Sequence, residues 1–80
     1  MTIEIFSTPT CGSCKTAKRF FEEHGFDFVE YDVSKDKEKA QEMVDETGQM
    51  GVPVIRIIQD DYHDVLIGFS PKRLKEALNI

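Results

Sequence analysis

Residues 2–6, Thr2-Ile3-Glu4-Ile5-Phe6, alternate polar and apolar with the period of two expected of a half-buried strand. The period then lengthens. Cys14, Ala17, Phe20 and Phe21 recur at helical spacing while Lys15, Lys18, Arg19, Glu22 and Glu23 lie largely off that stripe, which predicts a helix over residues 12–24 closed by Gly25. Residues 28–33 return to alternation, with Val29, Tyr31 and Val33 on one face and Phe28, Glu30 and Asp32 on the other. Ser34 is placed to cap a second helix over residues 35–47, with Ala40, Met43, Val44 and Thr47 inward and Gly48 at its end. Residues 53–58 form the most strand-like run, opened by Pro53 where no ladder hydrogen bond is lost. Residues 59–64 have the polar, acidic composition of a hairpin tip, and Val65-Leu66-Ile67 returns as a fourth strand. Ser70 and Pro71 then suit the cap and first residue of a last helix with Leu74, Ala77 and Leu78 inward.

The resulting order, β-α-β-α-β-β-α with short loops, predicts an α/β fold: a four-stranded sheet with helices on both faces. The first strand, helix and strand make a βαβ unit, so the first two strands are expected to be parallel neighbours. Sites in such sheets lie at the carboxyl ends of strands. At that place stand Cys11 and Cys14, the only cysteines in the chain, in the stretch Cys11-Gly12-Ser13-Cys14. A spacing of three in the first helical turn puts both sulfurs on one side, Cys11 at the rim and Cys14 further in. The unpaired N–H groups and the positive end of the helix dipole face Cys11 and favour a thiolate there. An exposed thiolate at the first position can attack a disulfide, and the thiol at the fourth can resolve the mixed disulfide. Half of a metal site is the alternative reading. It would need two further ligands at ordered spacing, and His24 and His63 are far apart in sequence.

Composition narrows the setting. Eighty residues make one domain, residues 1–80, and 40% hydrophobic with 31% charged residues describe an ordinary globular chain. A net charge of −5 argues against nucleic acid and anionic membranes as partners. The N-terminal segment carries Glu4 rather than a basic region before a long apolar stretch, and no apolar run approaches a membrane span, so a cytoplasmic address is expected. There a single cysteine pair is more readily a working dithiol than a staple. His24 is read as a partner of the last helical carbonyls, Asp60, Asp61 and Asp64 as edge solvation, and the charges of residues 35–46 as a solvated face.

Over nearly all its length the chain resembles the glutaredoxin-like members of the thioredoxin superfamily. Cys11-Gly12-Ser13-Cys14 is similar to the dithiol site, Val52-Pro53 to the cis-proline loop facing it, and Gly68-Phe69-Ser70-Pro71 to the turn before the last helix. The resemblance implies sheet order 2-1-3-4, with strand three antiparallel to strand one. It also implies a cis Val52-Pro53 bond that holds the Val52 backbone toward Cys11, and substrate contacts from Thr10, Gly12, Ser13, Val52, Pro53, Gly68 and Phe69. The Gly-Phe-x-Pro turn resembles NrdH-type redoxins, monomeric carriers without a cofactor that take electrons from thioredoxin reductase and give them to ribonucleotide reductase. Glutathione-dependent glutaredoxins usually have paired glycines and an acidic residue there, with a lysine shortly before the cysteines. Here Phe69-Ser70 and Thr8-Pro9-Thr10 stand in those places. The aromatic that NrdH-type proteins commonly carry before the glycine is replaced by Leu66-Ile67. A glutathione-dependent glutaredoxin is therefore the alternative, and a cluster-binding glutaredoxin, which the glycine after Cys11 permits, ranks below both.

Overall fold

The computed structural model describes residues 1–61 and 63–80. Its elements are β1 (Thr2–Ser7), α1 (Gly12–Glu23), β2 (Val29–Asp32), α2 (Lys37–Thr47), β3 (Val54–Ile58), β4 (His63–Ile67) and α3 (Pro71–Leu78). The four strands form one sheet in the order β2-β1-β3-β4. β1 runs parallel to β2, and β3 is antiparallel to both β1 and β4. This is the thioredoxin fold that the resemblance implied. The predicted hairpin tip is where β3 turns into β4, and its Tyr62 lies outside the described residues.

The two faces of the sheet are filled unequally. Ile3, Ile5, Ile55, Ile57 and Leu66 pack with Ala17, Phe20 and Phe21 of α1 and Leu74 and Leu78 of α3. On the other face α2 contributes Met43, which packs with Phe6 and Val54, flanked by half-buried Tyr31, Val33, Val52 and Val65. Because helices cover both faces, β1 is buried from Ile3 to Ser7, Glu4 included. Its alternation therefore does not separate core from solvent: the odd residues face α1 and α3, and Glu4 and Phe6 face α2. A central strand of a two-sided sheet is buried throughout.

The cap of α2 is Asp36, not Ser34. The Asp32 carboxylate accepts both the Ser34 N–H at 2.9 Å and the Ser34 hydroxyl at 2.5 Å, which spends Ser34 on the preceding turn. Asp36 then accepts the Lys39 N–H at 3.0 Å, and the helix starts at Lys37. Asp36→Ala is expected to lower stability by about 1 kcal/mol, read as a shift of the urea midpoint. A larger loss for Ser34→Ala would return the cap to Ser34. The other boundaries fall close to the sequence expectation: α1 ends one residue early, with His24 as its cap, and Ser70 caps α3 with Pro71 first in it. No helix among the described residues is long and apolar enough to cross a membrane.

Candidate active site

At the carboxyl end of β1 the chain turns through residues 8–10, and the Cys11 N–H donates to the Thr8 carbonyl at 3.3 Å. The turn leaves Cys11 in an extended conformation as the N-cap of α1, with its Sγ accepting the Cys14 N–H at 3.2 Å. A sulfur thus does what a serine or aspartate oxygen does at other caps. Both cysteines are free; Cys11 is half-buried and Cys14 is 1% exposed. Burial, followed by the hydrogen bond and the charge of Cys11, pushes the Cys14 thiol up to about 12. The Thr8 backbone and the Lys18 charge pull the other way without reversing it.

Two further loops close on the pair. The Val52-Pro53 bond is cis, and the Val52 carbonyl lies 3.8 Å from the Cys11 Sγ. Pro53 is buried, and its carbonyl accepts the Gly68 N–H at 2.8 Å, which ties the turn before α3 to the proline loop. Gly68 sits at φ +84°, a conformation that disfavours any side chain. Phe69 is half-buried with its ring edge-on to Phe20 of α1, centroids 5.9 Å apart. It is therefore partly a core residue. Thr10, Gly12 and Ser13 flank Cys11 and are exposed. Of the residues expected in the site, Cys11, Cys14 and Val52 converge directly, and Pro53 and Gly68 join them through one backbone bond.

Two features of this region have no signal in the sequence. Thr8 acts through its backbone, for which no side chain gives a signal. Beside the dithiol, Glu30 accepts the Ser7 hydroxyl at 2.6 Å and lies 2.8 Å from the Lys18 ammonium. The Lys18 hydrogen bond, then that of Ser7, holds the Glu30 carboxyl below the usual range. A groove of about 290 Å³ runs between these groups, Lys15, Asp32 and Thr8-Pro9, so its two lysines face two carboxylates. Elsewhere His24 Nδ1 lies 2.8 Å from the Phe20 carbonyl, the helix-end role expected of it. Among the described residues no group of three or more His, Cys, Asp or Glu could hold a metal ion.

Comparison with known proteins agrees with this geometry. The family model described as Glutaredoxin matches residues 3–62. An uncharacterized glutaredoxin-like 8.6 kDa protein in the rubredoxin operon of Clostridium pasteurianum is 34% identical over 76 residues, covering 95% of this chain and 96% of that one. Among solved structures, the glutaredoxin-like protein NrdH-redoxin from Escherichia coli, described as having a thioredoxin-like activity profile, superposes with a TM-score of 0.79 at 30% identity. That match covers 95% of this chain and 93% of the other. The glutaredoxin from Archaeoglobus fulgidus, 24% identical and covering 98% of this chain and 86% of its own, shares the fold with a TM-score of 0.78.

Proposed function

Since the chain belongs to the glutaredoxin family, we propose that it is a dithiol electron carrier reduced by a flavin-containing thioredoxin reductase and oxidised by ribonucleotide reductase or a similar disulfide-bearing enzyme in the cytoplasm. The observation that carries the redox reading is the division of labour between the cysteines. Cys11 is half-exposed and held by the Cys14 N–H at 3.2 Å, whereas Cys14 is buried with its proton firmly bound. The Cys11 thiolate attacks one sulfur of the substrate disulfide, the other leaves as a thiolate, and a mixed disulfide forms. Forming it removes the charge on Cys11, and with it part of what keeps Cys14 protonated. Cys14 then loses its proton and attacks the Cys11 Sγ, closing the Cys11–Cys14 disulfide and releasing the second substrate thiol. Two electrons and the Cys14 proton have moved to the substrate, whose first sulfur, released as a thiolate, takes its proton from water.

The choice of donor rests on charge. The loops around the dithiol, residues 8–13, 49–53 and 67–71, contain no Asp, Glu, Lys, Arg or His in a chain that is 31% charged. Glutathione brings two carboxylates and an ammonium group, and Lys18 is already paired with Glu30. Two missing charge-assisted hydrogen bonds, each about 1.5–3 kcal/mol, weaken its recognition by roughly two to four orders of magnitude. A protein donor can dock on neutral loops instead. The test offers the oxidised protein either NADPH with thioredoxin reductase or glutathione with glutathione reductase and compares initial rates. Fast reduction by the first and slow reduction by the second is expected; equal rates at cellular glutathione would make this a glutathione-dependent glutaredoxin.

A further inference from the structure

Met50 is 75% exposed, the most exposed of the large hydrophobic side chains among the described residues, and it sits two positions before Val52. Two residues of chain span at most about 7 Å, so its backbone lies close to the carbonyl that faces Cys11. The turn that carries it is built. The Gln49 carboxamide reaches across Met50 and bonds Gly51 twice, its Oε1 accepting the Gly51 N–H at 2.6 Å and its Nε2 donating to the Gly51 carbonyl at 3.1 Å. Behind it the Thr47 hydroxyl bonds the Gln49 carbonyl at 3.1 Å and the Met43 carbonyl at 2.7 Å, which fastens the turn to the end of α2. A Cβ at Gly51 would come within 2.6 Å of the Gln49 Oε1, so a larger residue there would push the carboxamide out of this position. Both bonds go to the flanking backbone and leave the Met50 thioether free in water.

Resting on the dithiol reading above, we propose that Met50 is a specificity-determining residue: it enters an apolar pocket beside the disulfide of a protein partner and selects protein disulfides over small ones. The loop that carries Met50, residues 49–53, and the two loops facing it contain no charged residue, so on this side of the dithiol a partner meets an apolar contact rather than an ion pair. Methionine suits that task because its unbranched, polarizable side chain adapts to pockets of different shape. Only Gly51 separates Met50 from Val52, whose carbonyl lies 3.8 Å from the Cys11 Sγ, which puts Met50 within the footprint of a protein that presents a disulfide to Cys11.

The experiment reduces the protein with dithiothreitol, removes the reductant, and measures single-turnover rates against insulin and against bis(2-hydroxyethyl) disulfide. The readout is the ratio of the two rate constants. Met50→Gln, similar in length but polar, is expected to lower that ratio about tenfold, and Met50→Leu to keep it within about twofold of wild type. A Met50→Gln protein with the wild-type ratio, or a Met50→Leu protein that loses selectivity as fully as the glutamine variant, overturns the proposal. Wild-type protein that reduces neither disulfide overturns the dithiol reading itself, a distinct result. At 75% exposure neither substitution disturbs the core.

Discussion

Cys11→Ser is expected to abolish disulfide reduction, with a loss of at least about three orders of magnitude, while Cys14→Ser should stop after one half-reaction and accumulate a mixed disulfide through Cys11. The asymmetry comes from where the two sulfurs sit. Cys14 is 1% exposed, and with its thiol pushed up to about 12 by burial and by Cys11 it is protonated at pH 7. It can neither reach an incoming disulfide nor attack one. Within the mixed disulfide the same thiol has its target one helical turn away, and proximity offsets its reluctance to ionise. In the mixed disulfide the Cys11 charge no longer raises the Cys14 thiol but burial still does, so the release step should accelerate with pH across the neutral range. Intact-mass measurement after quenching shows the adduct, and stopped flow at pH 6, 7 and 8 gives the slope. A Cys11→Ser protein that still forms an adduct would reverse the assignment.

The cysteine pair at the start of α1 is legible in the sequence because its signals are local: cysteine spacing, the strand before it and the helical stripe after it all lie within residues 2–21. The order of elements was readable for the same reason, each strand or helix carrying its own period. What stayed hidden depends on partners distant in sequence or on the backbone. Ser34 and Asp36 are both good caps in isolation, and only the Asp32 carboxylate, folded onto Ser34, decides between them. Glu4 looks like the polar position of a half-buried strand until the register pairs it with Arg56, 52 residues away. Lys15 and Lys18 look alike on the helix, but only Lys18 is matched to Glu30 of β2. The charges of α2 illustrate the limit best. Most do face water, yet Glu42 and Glu46 turn to the sheet and meet the same guanidinium as Glu4.

That guanidinium carries the largest expected effect on stability: Arg56→Met should cost about 3–5 kcal/mol at pH 7, against the 5–15 kcal/mol typical of a whole domain. Arg56 Nε lies 2.6 Å from Glu4, Nη2 2.7 Å from Glu42 and Nη1 2.8 Å from Glu46, with its side chain 12% exposed and that of Glu4 10%. The Tyr31 hydroxyl donates to the other Glu4 oxygen at 2.6 Å. Lys39 sits 3.2 Å from Glu42 and over the Tyr31 ring, and His63 lies 2.9 Å from Glu46. Burial alone pushes the Glu4 carboxyl up, but the hydrogen bonds from Arg56 and Tyr31 and the Arg56 charge outweigh it and hold the group below its ordinary value. In the wild type, then, Glu4 contributes stability above its unfolded value, near 4.5, and the contribution is lost as pH falls through the lower folded value. Methionine keeps the bulk and removes the charge, leaving a buried carboxylate with Tyr31 as its remaining hydrogen-bond donor. Burial then dominates, the folded value rises above the unfolded one, and stability is lost as pH increases. Urea unfolding of both proteins at pH 4.5 and pH 7 should therefore show a smaller penalty at the lower pH. Because the cost comes from an abandoned charge rather than from a lost attraction, Glu4→Leu combined with Arg56→Met should recover most of it. A single Arg56→Met variant that loses less than about 1 kcal/mol at pH 7 would show that the Glu4 carboxylate is not held by this ion pair.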